Sequence, residues 1–169
     1  LSVNNNGFAY VDLGLPSGLL WASCNVGASS ETDRGNLYKW GAGSVSGNGG
    51  TEYSGTTMDD SHDTAVQVMG GDWKMATKNQ WLELRNTCTC TWETNYKGSG
   101  VNGTKIIGPN GNSIFLPSAG SEYTSLYNTR LYYWTATAYN KYKALYVTGT
   151  SSSPVDDIDN YGDEKSSLA

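Results

Sequence analysis

Apolar positions along the chain mostly alternate with small or polar ones in short runs, and the runs are separated by turn-forming residues. In "FAYVDLGLPSGLLWASCNVG" the alternation surrounds Leu15-Pro16-Ser17-Gly18, which predicts two strands joined by a hairpin. "GTKIIGPNGNSIFLPSAG" repeats the pattern around Gly108-Pro109-Asn110-Gly111 and predicts a second hairpin. "LYYWTAT" and "KALYVTG" supply two more strands. The spacing becomes helical in "ATKNQWLELRNTC", where Trp81, Leu84 and Cys88 share one face. Thr77 followed by Gln80 three residues on forms a capping-box signature, so one clear helix is expected over about 77–88. "HDTAVQVMG" predicts a shorter candidate helix over about 62–69, stopped by Gly70 and Gly71.

Strands, then helices, then hairpins, with few βα alternations, describe an α+β domain built on antiparallel sheet. The 169 residues suit one domain spanning 1–169. The composition, with 21 glycines, favours turns over long helices, and residues 42–55 read as a loop within the domain.

Charge narrows the partners. Residues 154–165 hold Asp156, Asp157, Asp159, Asp163 and Glu164 against Lys165, so −4 of the net −5 sits there. With no basic stripe to neutralise phosphates, nucleic-acid binding has little electrostatic support. No run approaches the ~20 apolar residues of a membrane span, and the first residues lack the basic and apolar regions of a signal peptide. Cys24, Cys88 and Cys90 cannot all pair with one another, and Cys88 and Cys90 lack the spacing of a zinc knuckle or redox pair, so buried thiols are expected.

Four blocks, "VDLGLPSGLLWASCNVGA", "GDWKMATKNQWLEL", "GPNGNSIFLPSAG" and "YYWTATAYNKYKALYV", resemble in order the successive blocks of the Fibrobacter major paralogous domain of Bacteroidetes surface and phage-associated proteins. That resemblance implies a C-type-lectin-like fold with N- and C-terminal strands paired. It also implies kinship with the variable proteins of diversity-generating retroelements and with formylglycine-generating-enzyme-like domains. The sequence departs from the family at Ala76, where Pro is usual, and at its end, "KSSLA", where an Arg-Val or Val-Arg-Pro-Val strand is usual. The final strand is therefore expected to be truncated or to end outside this chain.

Catalysis finds little support. Cys88-Thr89-Cys90 does not reproduce the cysteine arrangement of the formylglycine-generating enzymes, and the single histidine, His62, lies in "MDDSHD", a polar run that reads as a capping loop. Adjacent residues such as Ser61 and His62 are not expected to engage one another. No catalytic residue is assigned. "DIDNYG" imitates the start of an EF-hand, but Tyr161 and Leu168 stand where ligands are required. The calcium-binding motifs of sugar-binding C-type lectins are missing too. No cofactor is expected, and an irregular calcium site in the Asp-rich segment stays open.

Eight of the twelve tyrosines lie between Tyr123 and Tyr161. Trp134 reads as core, as do Leu145 and Val147, which leaves tyrosines in or beside a turn that should face water. Tyr is the main contact residue of recognition surfaces, with Ser, Gly and Asn as adaptable neighbours. The expected ligand-binding set is therefore Tyr123, Tyr127, Asn128, Arg130, Tyr132, Tyr139, Asn140, Tyr142, Lys143, Asp156, Asp157, Asp159, Asn160 and Tyr161. The corresponding function is a recognition module for a protein or glycan on a cell surface, located outside the cell or on a phage particle. With the resemblance added, it becomes the variable receptor of a retroelement in a gut bacterium or phage. A structural domain of a larger adhesin or lipoprotein is the alternative, and a formylglycine-generating-enzyme-like enzyme is third.

Overall fold

The structure, a computed structural model, describes residues 2–3, 6–44, 53–121, 126–163 and 167–168. The strands in chain order are β1 (Ser2–Val3), β2 (Ala9–Asp12), β3 (Leu20–Ala22) and β4 (Tyr38–Lys39), before helices α1 (Thr64–Met69) and α2 (Lys78–Thr87). After the helices come β5 (Thr89–Glu93), β6 (Gly103–Ile107), β7 (Ser113–Pro117), β8 (Leu131–Asn140), β9 (Lys143–Gly149), β10 (Asn160–Asp163) and β11 (Ser167–Leu168). They form small antiparallel sheets in the orders β1-β2-β3, β5-β6-β7, β10-β9-β8 and β11-β4, an α+β arrangement as the alternation predicted.

Both hairpins form where the turn chemistry placed them. Gly18 N–H donates to the Leu15 carbonyl at 2.9 Å, and Gly111 N–H to that of Gly108 at 2.9 Å. The first turn is also tied to α2, because the Ser17 hydroxyl and backbone N–H both donate to the Glu83 carboxylate, at 2.7 and 2.9 Å. The capping box of α2 is complete. Thr77 receives the Gln80 N–H, and the Gln80 side chain receives the Thr77 N–H in return. Trp81 and Leu84 face the core from this helix.

The shorter helix starts at Thr64, two residues later than expected, because Asp63 is its N-cap and residues 59–62 make a separate turn. The buried Asp63 carboxylate accepts the N–H groups of Ala65 and Val66 and also that of Met75, so it fastens the helix start to the segment before α2. Burial pushes this carboxyl above its ordinary value, and the N–H donors pull the other way.

The main core gathers Leu13, Trp81, Leu84, Ile106, Leu131, Tyr133 and Val147 between α2 and the sheets. A second cluster joins Trp40, Trp134 and Ala144. The expectation that the terminal strands pair with each other is corrected: β1 pairs with β2, and β11 pairs with β4, near the chain's first quarter.

The β8–β9 ribbon is irregular. Its register runs from Leu131↔Gly149 to Trp134↔Tyr146 and resumes at Ala138↔Ala144, so β8 carries a bulge. The bulged backbone bonds elsewhere: Ala136 N–H donates to Ala76, Ala138 N–H to Thr56, and the Ala136 carbonyl accepts from Met58.

The three cysteines are free and only half-buried, where burial was expected. Burial still pushes the Cys90 thiol up to about 11 from 9.0. Because alkylation needs the thiolate, Cys90 in the folded protein should react with iodoacetamide at pH 8 about a hundredfold more slowly than an unperturbed thiol. Peptide mapping after timed labelling checks this; labelling of Cys90 at the rate seen in denaturant would refute it.

Candidate functional site

The turn between β8 and β9 carries the exposed aromatic residues that the sequence pointed to. Tyr139 is 53 % and Tyr142 52 % exposed, and with Tyr127 at 44 % they make up three of the four exposed large hydrophobic side chains among the described residues. The turn is shaped by Asn140, whose side chain accepts the Tyr142 N–H at 2.8 Å. An Asx interaction of this kind closes a tight loop without a glycine. Lys141 lies over the Tyr142 ring, 4.7 Å from its centre.

Tyr53, which sequence reasoning left inside a polar loop, supports this tip. Its N–H donates to the Lys141 carbonyl at 3.1 Å, and its ring packs edge-on against Trp40 at 5.4 Å and tilted against His62 at 4.9 Å. A lone aromatic in a Gly, Ser and Asn tract was the only signal available for it.

The other expected contact residues fall into separate groups. Arg130 and Tyr132 stand at the opposite end of the ribbon, roughly 25–30 Å from the tip at the usual rise per strand residue. There the Arg130 guanidinium lies 3.4 Å from the Tyr132 hydroxyl, and Tyr132 leans on Tyr146 with ring centres 5.9 Å apart. The Asp-rich segment starts beside them, since Asp156 N–H donates to the Thr148 carbonyl and Thr148 N–H to that of Asp157. Asp156 and Asp157 are exposed, and the Asp156 carbonyl accepts from Arg85 at 2.8 Å.

Three assignments change in character. Asn128 is a clamp inside a loop. It holds a left-handed backbone (φ 67°), accepts the Asn102 N–H at 2.7 Å and donates to the Gly100 carbonyl at 2.9 Å. Asp159 is ion-paired to Lys78 at the start of α2, and its N–H is held by the Asp157 side chain at 2.8 Å. Tyr127 carries Arg34 over its ring at 5.0 Å. Lys143 begins β9, and Asn160 and Tyr161 pair through their backbones with Tyr146 and Leu145. Tyr123 lies outside the described residues. The described members thus divide among the ribbon tip, its base with the adjoining loop, and the edge strand β10.

His62 does engage its neighbours, contrary to expectation. Its Nδ1 lies 2.7 Å from the Asp59 carboxylate and 3.0 Å from the Ser61 hydroxyl, which itself donates to Asp59 at 2.6 Å. These bonds hold the exposed Asp59 carboxyl down to about 2. Serine and aspartate meet the same ring nitrogen, whereas a proton relay needs one on each side of the ring. The cluster closes a turn before α1.

Among the described residues no group of three or more His, Cys, Asp or Glu side chains comes close enough to hold a metal ion. No helix among them is long and apolar enough to cross a membrane.

A cavity of about 280 Å³ lies away from all of these groups, between β3, α1, α2 and the strands β7 and β8. None of the sequence-predicted site residues among the described ones lines it.

Comparison of the chain with protein-family models, with curated proteins and with solved structures finds no match.

Proposed function

We propose that this chain is a ligand-binding recognition module whose contact surface is the tip of the β8–β9 ribbon, presented by Tyr139 and Tyr142 with Tyr53 behind them. The observation that carries the reading is the exposure of two large aromatic side chains on either side of one tight turn. Tyr in that setting gives broad amphipathic contact at low entropic cost, while Lys141 and Lys143 add charge at the rim. The ligand is a protein or glycan of a cell surface. On the resemblance of the four sequence blocks, the module is the variable receptor of a diversity-generating retroelement in a gut bacterium or phage, with a C-type-lectin-like fold and no catalytic activity.

Two measurements test this. Labelled protein is titrated onto intact gut Bacteroidetes cells and onto a glycan array, beside Tyr139→Ala, Tyr142→Ala and the double variant. Each single substitution should weaken binding by about 2 kcal/mol, roughly thirtyfold in Kd, with the melting temperature held within about 2 °C of the parent. A melting temperature that falls in step with binding makes the tyrosines scaffold and the chain a structural surface domain. Sequencing the same locus in several isolates tests the receptor assignment: it requires substitutions concentrated between residues 123 and 163, and uniform drift along the chain overturns it.

A further inference from the structure

The outer strand of a sheet carries a row of unpaired N–H and C=O groups, and folded proteins usually blunt it with a lysine, a proline, a bulge or a covering element. Most edges of this molecule are blunted. β1 and β3 are two and three residues long, and β10 lies in the acidic segment. β8 gives the N–H groups of Ala136 and Ala138 to Ala76 and Thr56, and in β7 the side chains of residues 114–117 are all buried.

β5 is the exception. Thr89–Glu93 is the outer strand of the order β5-β6-β7, and its register with β6 runs unbroken from Thr89↔Ile107 to Glu93↔Gly103. It contains no proline and no lysine, and its single charge is Glu93 at its end. Among the described residues, the backbone of 89–93 makes no hydrogen bond outside the pairing with β6. Thr89 and Thr91 are exposed, and Cys90 and Trp92 are half-buried against the main core.

The strand is also complementary to itself. When two copies pair antiparallel about a two-fold axis through Thr91, Thr91 of one faces Thr91 of the other, Cys90 faces Trp92 and Thr89 faces Glu93, so the whole strand finds a partner. Directly opposed residues in such a pair lie on the same face of the sheet. On the solvent face the arrangement sets threonine against threonine and a hydroxyl donor against a carboxylate. On the core side it sets a small side chain against a large one. Like charges never meet across the axis. An axis at Cys90 or at Trp92 leaves one end of the strand unpaired. The contact is isologous: each copy uses up the edge of the other, and the pairing closes at two instead of propagating into a fibre.

We infer that β5 is a dimerisation edge, through which two copies of this chain join their β5-β6-β7 sheets into one continuous antiparallel sheet. The inference is independent of the ribbon tip, because Tyr139 and Tyr142 belong to another sheet or its turn.

Sedimentation equilibrium of the whole chain, with reductant present so that the free cysteines cannot cross-link, tests it. A pairing of this size stands at the low end of specific interfaces, so the dissociation constant should be about 1–100 μM. Thr89 meets Glu93 twice in the dimer, once on each side of the axis, which makes it the informative position. Thr89→Lys creates two opposite-charge pairs and Thr89→Glu two like-charge pairs, so their dissociation constants should lie at least about tenfold apart, lysine the tighter. Added salt should bring the two values together. Within its own sheet residue 89 faces the uncharged Ile107, so both variants should melt within about 2 °C of the parent at a concentration where all are monomeric. Tyr139→Ala and Tyr142→Ala should leave the dimer unchanged. In the wild type, the amides of 89–93 should exchange hydrogen more slowly at high protein concentration than at low, and those of β10 should not. Monomer at every concentration, equal dissociation constants for Thr89→Lys and Thr89→Glu, or concentration-dependent protection outside β5 alone would each overturn the assignment, and the wild-type readouts stand even if a variant fails to fold.

Discussion

Replacing Trp40 or Trp134 by alanine should cost about 3–5 kcal/mol and lower the melting temperature by roughly 6–20 °C. Both side chains are almost fully enclosed, at 2 % and 3 % exposure, and they pack in the same cluster. Their hydrogen bonds are reciprocal: the Trp40 indole donates to residue 135, beside Trp134, and the Trp134 indole to residue 38, two before Trp40. Truncation removes a large apolar body and also strands a carbonyl acceptor in the core, which adds to the cavity cost. Phenylalanine at either position restores most of the volume but not the donor, so it should recover only part of the loss. Because the two residues share a cavity, the double alanine variant should cost less than the sum of the singles. Urea unfolding of the five variants decides it, and a loss no larger than that of a surface substitution would mean that the segment around β4 does not pack on β8.

Gly108→Ala should be the most damaging of the small-to-larger changes. A methyl group there would sit 2.0 Å from the Leu13 carbonyl oxygen and 2.7 Å from its carbon, so backbone rather than a movable side chain would have to yield. The contact is where the two hairpins lock together, with Asn110 and Asn112 both donating to the Asp12 carbonyl at 2.9 and 2.8 Å. Forced expansion of a tight contact costs about 1–3 kcal/mol and occasionally more. Gly111→Ala in the same turn is the informative control. It has a positive φ of 86° but nothing within 4 Å of the added carbon, so it carries conformational strain alone, about 1–2 kcal/mol. A smaller loss at Gly108 than at Gly111, measured by thermal unfolding, would show that the hairpins are not in this contact.

Local chemistry was readable from the sequence, and long-range chemistry was not. The turns at Gly18 and Gly111 and the capping box of Thr77 and Gln80 are written within four consecutive residues, and each formed where expected. Trp134 read as core, and it is buried in the second cluster, while its neighbour Tyr133 is buried in the main core. What escaped depends on pairings across the chain. The two-residue strands β4 and β11 have no periodicity to detect, and Trp40 is buried by a partner more than ninety residues away. Asn128 read as a contact residue because its composition suits a surface. Its left-handed backbone and its hold on Asn102 could be seen only once the loop was folded. The exposed tyrosines were legible as a crowd, but their division between the tip and the base follows from the length of β8.

The bulge in β8 bears on how this protein can change over generations. Between Trp134 and Ala138 the strand's backbone bonds are made to residues 56, 58 and 76, so the ribbon is riveted to the body before its last turn begins. Replacements at Tyr139, Lys141 and Tyr142 then leave those fastenings untouched. Changes there act on side chains beyond the riveted stretch, within the limits set by solubility and by the turn that Asn140 sets. A lineage that alters these side chains keeps the backbone bonds that hold the ribbon to the body.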